Sequence, residues 1–142
     1  AVCIGLVAVL WYDKTPPPAA AQELQQSTTL TLLPASPVIA VGETVAVAVM
    51  VNDVTDLWGA DFFLDFDATY VEVVDADSAL PGVQIAHGGF LQPPLTMGSN
   101  TVDNANGTIW YGATETNPTL PVSGSGPIAV ITFEVRLSGT PP

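Results

Sequence analysis

The chain predicts an all-β sandwich, and three observations carry that reading. The stretch Leu57 to Val74 alternates with a period of two: Ala60, Phe62, Leu64 and Phe66 fall on one face of an extended strand, and Asp61, Phe63 and Asp65 on the other. A helix would wrap those acids into its apolar stripe, whereas a half-buried strand keeps them apart. Composition agrees, because 13 Pro and 12 Gly in 142 residues, with abundant Val, Ile and Thr, suit strands joined by many turns. Turn signals cut the chain into about nine short strands, with no convincing amphipathic helix and no internal repeat.

The elements follow in order. Ala1 to Tyr12 (AVCIGLVAVLWY) carries no charge, and is shorter than the ~20 residues a membrane-spanning helix needs. Three readings fit it. It is the end of a signal peptide or membrane anchor, with Trp11-Tyr12 before Asp13-Lys14 resembling an interfacial belt; or a buried strand of its own domain; or a strand donated to the sheet of a neighbouring copy. In the last reading Val2, Ile4, Leu6, Val7, Val9, Leu10 and Trp11 are an assembly arm. Residues 1–14 are therefore set apart as an apolar arm or anchor. Residues 15–28 (TPPPAAAQELQQST) form a linker whose prolines favour a stiff polyproline spacer.

The domain proper runs over 29–142. Thr29 to Leu33 is its first strand. Val45 to Val51 is the next, with Val45, Val47, Val49 and Val51 on one face, and Asn52 to Asp56 is expected to loop into the Leu57 stretch. Asp67-Ala68-Thr69 turns a corner before Tyr70 to Val74. Asp75 to Gly82 makes a long turn, Val83 to Ala86 a short strand, and His87-Gly88-Gly89 another turn. Thr96 to Val102 and Thr108 to Ala113 are strands joined by a hairpin with Asn106-Gly107 at its tip. Asn117 to Gly126 is expected to be a loop. Pro127 to Leu137 is the last strand, with Ala129, Ile131, Phe133, Val135 and Leu137 inward.

Charge narrows the function classes. Fourteen acids stand against Lys14 and Arg136, a formal charge of −12. Such a surface repels nucleic-acid phosphates, so DNA and RNA are excluded as partners. It also disfavours anionic membranes, so membrane contact requires the N-terminal run to be an anchor. A self-repelling acidic surface suits an extracellular or cell-surface protein. Cys3 is the only cysteine, so no intrachain disulfide forms.

No catalytic constellation emerges. His87 is the only histidine; zinc would need more His or Cys beside it, and no Gly-x-Ser-x-Gly elbow accompanies it. The paired carboxylates read as surface alternation rather than as a glycosidase pair. The chain is read as non-enzymatic and needs no cofactor. Ca²⁺ is the one cation its acids point to: Asp53, Asp56, Asp75 and Asp77 sit in turns, but without the EF-hand spacing. Ordinary turn capping by Asp competes with that reading. Asn106-Gly107-Thr108 matches a glycosylation sequon, though the turn alone accounts for it. Phe63 is different, since an outward aromatic between Asp61 and Asp65 is what the core of a binding face contains. With Trp58 these residues form a candidate partner-binding face, and Trp110 is a further candidate; a solvated sheet face is the plainer alternative.

Several stretches together resemble the cohesin family: Val41-Gly42-Glu43-Thr44-Val45; Val54 to Asp67 with Glu72-Val73-Val74; Val102 to Ile109; and Gly124-Ser125-Gly126 leading into Ile128 to Phe133. The resemblance covers roughly Thr29 to Leu137. It implies a nine-stranded jelly-roll β-sandwich without an enzymatic site, whose relatives grip a dockerin, a small Ca²⁺-loaded helical module, on one flat sheet. It also implies that Asp61 stands at the place of an acid that hydrogen-bonds the dockerin helix. The chain departs from the pattern where a nearby Asn becomes Trp58 or Gly59, and where the corner Asp-Pro becomes Asp67-Ala68.

Three functions follow as expectations. The leading one is a structural subunit that builds a surface fibre by donating its N-terminal arm to the next copy, since head-to-tail contacts need not close. The second is a cohesin-type module gripping a dockerin-like partner. The third is carbohydrate binding through Trp58, Trp110 and Phe63.

Overall fold

The computed structural model describes residues 5–12, 27–35 and 37–136. They form eight strands: β1 (Gly5–Tyr12), β2 (Thr29–Leu33), β3 (Thr44–Asp65), β4 (Val71–Val73), β5 (Ala86–His87), β6 (Leu95–Asp103), β7 (Thr108–Glu115) and β8 (Val122–Val135). No helix occurs among the described residues.

The architecture turns on β3, 22 residues long, which serves both layers of the sandwich. Its first half lies between β2 on one edge, from Leu33↔Ala48 to Thr29↔Asn52, and β8 on the other, from Thr44↔Glu134 onward. Its second half lies between β1, from Gly5↔Asp65 to Tyr12↔Leu57, and β7, from Gly59↔Thr114 to Asp65↔Thr108. β4 and β5 pair along the far edge of β8, and β6 along the far edge of β7. Every ladder is antiparallel, although only β6 and β7 are joined by a tight hairpin turn and most of the other pairs bring together strands distant in sequence.

The expected loop at Asn52–Asp56 is instead a bend inside β3. The register with β8 slips between Val49 and Met50, between Val51 and Val54, and between Val54 and Leu57. Asp53 and Asp56 take left-handed backbone angles, φ 56° and 51°. Their backbone N–H groups leave the ladder and donate to Ser125 Oγ and Ser123 Oγ, each at 3.0 Å. Asp tolerates this conformation better than most residues because its short polar side chain can hydrogen-bond to the nearby backbone. The same tolerance makes it a turn signal in sequence. The bulges swing the strand from one layer to the other. By the same pairing β8 begins at Val122, within the expected loop.

The core lies between the two halves. Val47, Val49 and Val51 bury from the first half of β3, and Ala60, Phe62 and Leu64 from the second. Ile109 and Tyr111 of β7 and Ile131 and Phe133 of β8 meet them. Phe66 packs edge-on against Phe133, with ring centroids 5.5 Å apart, joining the layers. Each buried Val, Leu, Ile or Phe side chain among these contributes about 1.5–3 kcal/mol from water exclusion, and Ala60 less. Leu137 lies outside the described residues; its expected row-mate Val135 is only half-buried.

Polar side chains close the open seams of the sandwich. Asn104 Oδ1 accepts from Val73 N–H at 2.8 Å and its Nδ2 donates to Val73 C=O at 3.0 Å. Asn100 does the same for Ile85, at 2.9 and 2.8 Å. A primary amide thus stands in for a strand neighbour, satisfying backbone groups that would otherwise be buried unpaired. The hairpin between β6 and β7 closes through Gly107 N–H to Asp103 C=O at 2.8 Å. Gly107 is required there: φ is 73°, and a Cβ would fall on the Phe66 carbonyl oxygen.

Candidate protein-binding face

The second half of β3, with β7 and β6, presents an outward face whose rows are set by register. One row is Phe63–Trp110–Thr101, the next Asp61–Gly112–Ser99, and a third Asp65–Thr108–Asp103. Residues directly opposite share a side of the sheet, so these rows are neighbours in space. Phe63 and Trp110 stack with centroids 5.1 Å apart and planes 19° apart. They stay 48% and 44% exposed, which is high for two large aromatic side chains in contact.

Asp61 is tied to that pair. Trp110 Nε1–H donates to Asp61 Oδ1 at 2.8 Å. The carboxylate reaches across the strands because Gly112 leaves the space beneath it open; a Cβ at Gly112 would stand 3.3 Å from Asp61 Cγ and Oδ1. The second carboxylate oxygen, Oδ2, has no hydrogen-bond partner among the described residues and is available as an acceptor. Trp110 therefore fixes a charged acceptor beside an apolar platform. Asp65 is exposed farther along the same side of β3, in the neighbouring row beyond Phe63.

Trp58 does not join the platform. It is half-buried where the β1 ladder skips from Gly59 to Leu57, and Phe63 stacks on Trp110 instead. The alternation of β7, with Ile109 and Tyr111 buried, puts Trp110 outward and was the signal for it. Gly112 carried no signal in sequence, because its role depends on which residue lies opposite.

The four turn acids are not drawn together, and no group of three or more metal-ligating side chains occurs among the described residues. Asp75 Oδ1 accepts from Asp77 N–H and Gln84 N–H, both at 3.1 Å, and Asp77 Oδ1 from Ala79 N–H at 3.1 Å. Asp53 and Asp56 serve the bend of β3. His87 is committed to the fold: Nε2–H donates to the Leu91 carbonyl at 2.9 Å, so Nδ1 accepts from the Tyr111 hydroxyl at 2.9 Å. Burial pushes the Tyr111 phenol up to about 12. Asn106 of the sequon donates to Asp103 through its side-chain amide and its backbone. Those donors hold the Asp103 carboxyl below its usual range, the side-chain bond from Asn106 most of all.

Of the assembly arm, Leu6, Val7, Val9, Leu10 and Trp11 fall in β1, which runs along β3 of the same chain. Val2, Ile4, Cys3 and the linker lie outside the described residues, apart from the linker's last two positions.

A cohesin-domain family model matches residues 31–141. The chain belongs to the cohesin family. Solved cohesins share its fold at low identity. A type II cohesin from Bacteroides cellulosolvens is 22% identical, with a TM-score of 0.60 over 78% of this chain and 68% of that one. A type II cohesin module of an adaptor scaffoldin from Acetivibrio cellulolyticus is 17% identical, with a TM-score of 0.62 over 78% and 70%. A type II cohesin–X–dockerin complex from the same organism, an interface mutant, gives 15% identity and a TM-score of 0.63 over 77% and 71%. No curated protein sequence matches the chain.

Proposed function

We propose that the chain is a non-catalytic, extracellular protein-binding module that takes a dockerin-like partner on the outward face of β3, β7 and β6. The observation that carries this is the exposed Phe63–Trp110 stack with the Asp61 carboxylate held beside it. A large aromatic pair left in water next to a fixed acceptor matches the centre of an interface, where an apolar anchor and an oriented polar group give affinity and register. Membership of the cohesin family supports a protein partner, and one solved relative is a complex with an X–dockerin. A carbohydrate platform has less support, since one stacked pair is not a row of rings.

The test is calorimetric titration of the full chain with a panel of dockerin modules. Binding is expected, and Phe63→Ala or Trp110→Ala is expected to weaken it about 10–100-fold. Asp61→Ala is expected to weaken it less. No binding across the panel, or full affinity in both aromatic variants, defeats the proposal. Retention on cellulose or xylan gels would favour the carbohydrate reading instead.

A second reading, self-assembly, is supported by β1. A strand that pairs along β3 within one chain has the chemistry to pair along β3 of another copy. Filaments in electron micrographs that vanish on deletion of residues 1–14 are the result it expects; filaments that persist would end it.

A further inference from the structure

We infer that β1 is a working part of the partner-binding sheet, the strand that moves Asp61 and Phe63 from its rim to its interior. This rests on the protein-binding reading above. Along Leu57–Asp65, β3 has two neighbours: β7 on one edge and β1 on the other. With β1 in place the order across the face is β1–β3–β7–β6, and the Phe63–Trp110 stack spans the two middle strands. Without β1, β3 becomes an edge strand with unpaired backbone groups, and Asp61 and Phe63 stand at its margin.

The position matters because binding energy concentrates near the centre of an interface, where neighbouring contacts exclude water. The register decides which positions of β1 flank the stack. Val7 pairs with Phe63 and Val9 with Asp61, so positions 7 and 9 share the side of the sheet that carries the stack. β1, Gly5–Tyr12, contains no charged residue to set against Asp61 and Asp65. A partner seated on Phe63 and Trp110 therefore meets positions 7 and 9 as the flank of the same surface.

Three proteins test this: the full chain, the chain lacking residues 1–14, and an Ala8→Pro, Val9→Pro double variant. Successive N–H groups of a strand point to opposite edges, so one of the two prolines removes a donor to β3. Hydrogen exchange and dockerin affinity are measured on each, with circular dichroism to confirm folding. In both altered proteins, the alternate amides of 57–65 that face β1 are expected to exchange at least ~10-fold faster. Residues 44–51, held by β2 and β8, keep their protection and serve as the internal control. Dockerin affinity is expected to fall at least ~10-fold.

Unchanged protection at 57–65 overturns the inference, and so does lost protection with unchanged affinity. If no dockerin module binds even the full chain, the protein-binding reading fails, and exchange decides alone. Faster exchange at 57–65 then still assigns β1 to the sheet, and unchanged exchange still removes it.

Discussion

Tyr111 shows how one side chain ties the layers together and what that costs at high pH. Its ring packs on Phe62, with centroids 5.4 Å apart, and its hydroxyl donates to His87. Burial favours the neutral phenol, so the folded pKa of about 12 lies above the ordinary value of 10. The unfolded chain releases this proton first. The stabilisation is therefore whole below pH 10 and is lost as pH rises toward 12. Two pH units correspond to at most about 2 kcal/mol after allowance for partial solvent screening. Urea unfolding between pH 9 and 12 checks this: the wild type is expected to lose that stability, and Tyr111→Phe to lack that component of the slope. Parallel curves for the two proteins would contradict it. Tyr111→Phe also leaves His87 Nδ1 without a donor, so a modest loss of stability at neutral pH accompanies the flatter curve.

At the scale of elements, β3 separates what sequence can carry from what it cannot. The buried set Ala60, Phe62, Leu64 and Phe66 was legible, because period-two alternation between core and solvent is a local property. So was the valine row at 47, 49 and 51. The bend was not: Asn and Asp are read as loop residues, and only Ser123 and Ser125, far along the chain, turn them into bulges. The candidate face divides in the same way. Asp61, Phe63 and Asp65 were visible as an outward set, whereas the stacking of Trp110 on Phe63 and the open floor at Gly112 depend on the register of β3 with β7. Two expected strands also became one, since bulges preserve hydrogen bonding where a loop would break it. The bend makes its own prediction. Asp53→Val places a β-branched side chain at φ 56° and is expected to cost about 1–2 kcal/mol, while Asp53→Gly is expected to be close to neutral. Equal denaturation midpoints for wild type and Asp53→Val would show that the strand relaxes without strain.

At the scale of the whole molecule, the net charge acts on stability and binding in opposite senses. A formal charge of −12 with two basic side chains means that the acids chiefly repel one another. Arg136 Nε to Glu72 Oε2, at 3.5 Å and partly exposed, is the ion pair found among the described residues, and a solvent-accessible pair adds little. Added salt should therefore stabilise the fold, because screening weakens repulsion over distances beyond the ~10 Å Debye length at 0.1 M. The same screening should slow capture of a partner that presents positive charge to the Asp61–Asp65 face, since steering at that face is electrostatic. Thermal unfolding and stopped-flow association are to be measured together from about 20 to 500 mM NaCl, with Asp61→Asn and Asp65→Asn beside the wild type. The Tm is expected to rise with salt while the association rate falls, and the two substitutions are expected to flatten the rate dependence and leave the rise in Tm. A rate that salt does not change would mean that the partner meets Phe63 and Trp110 by shape and apolar contact, with the acids serving solubility alone.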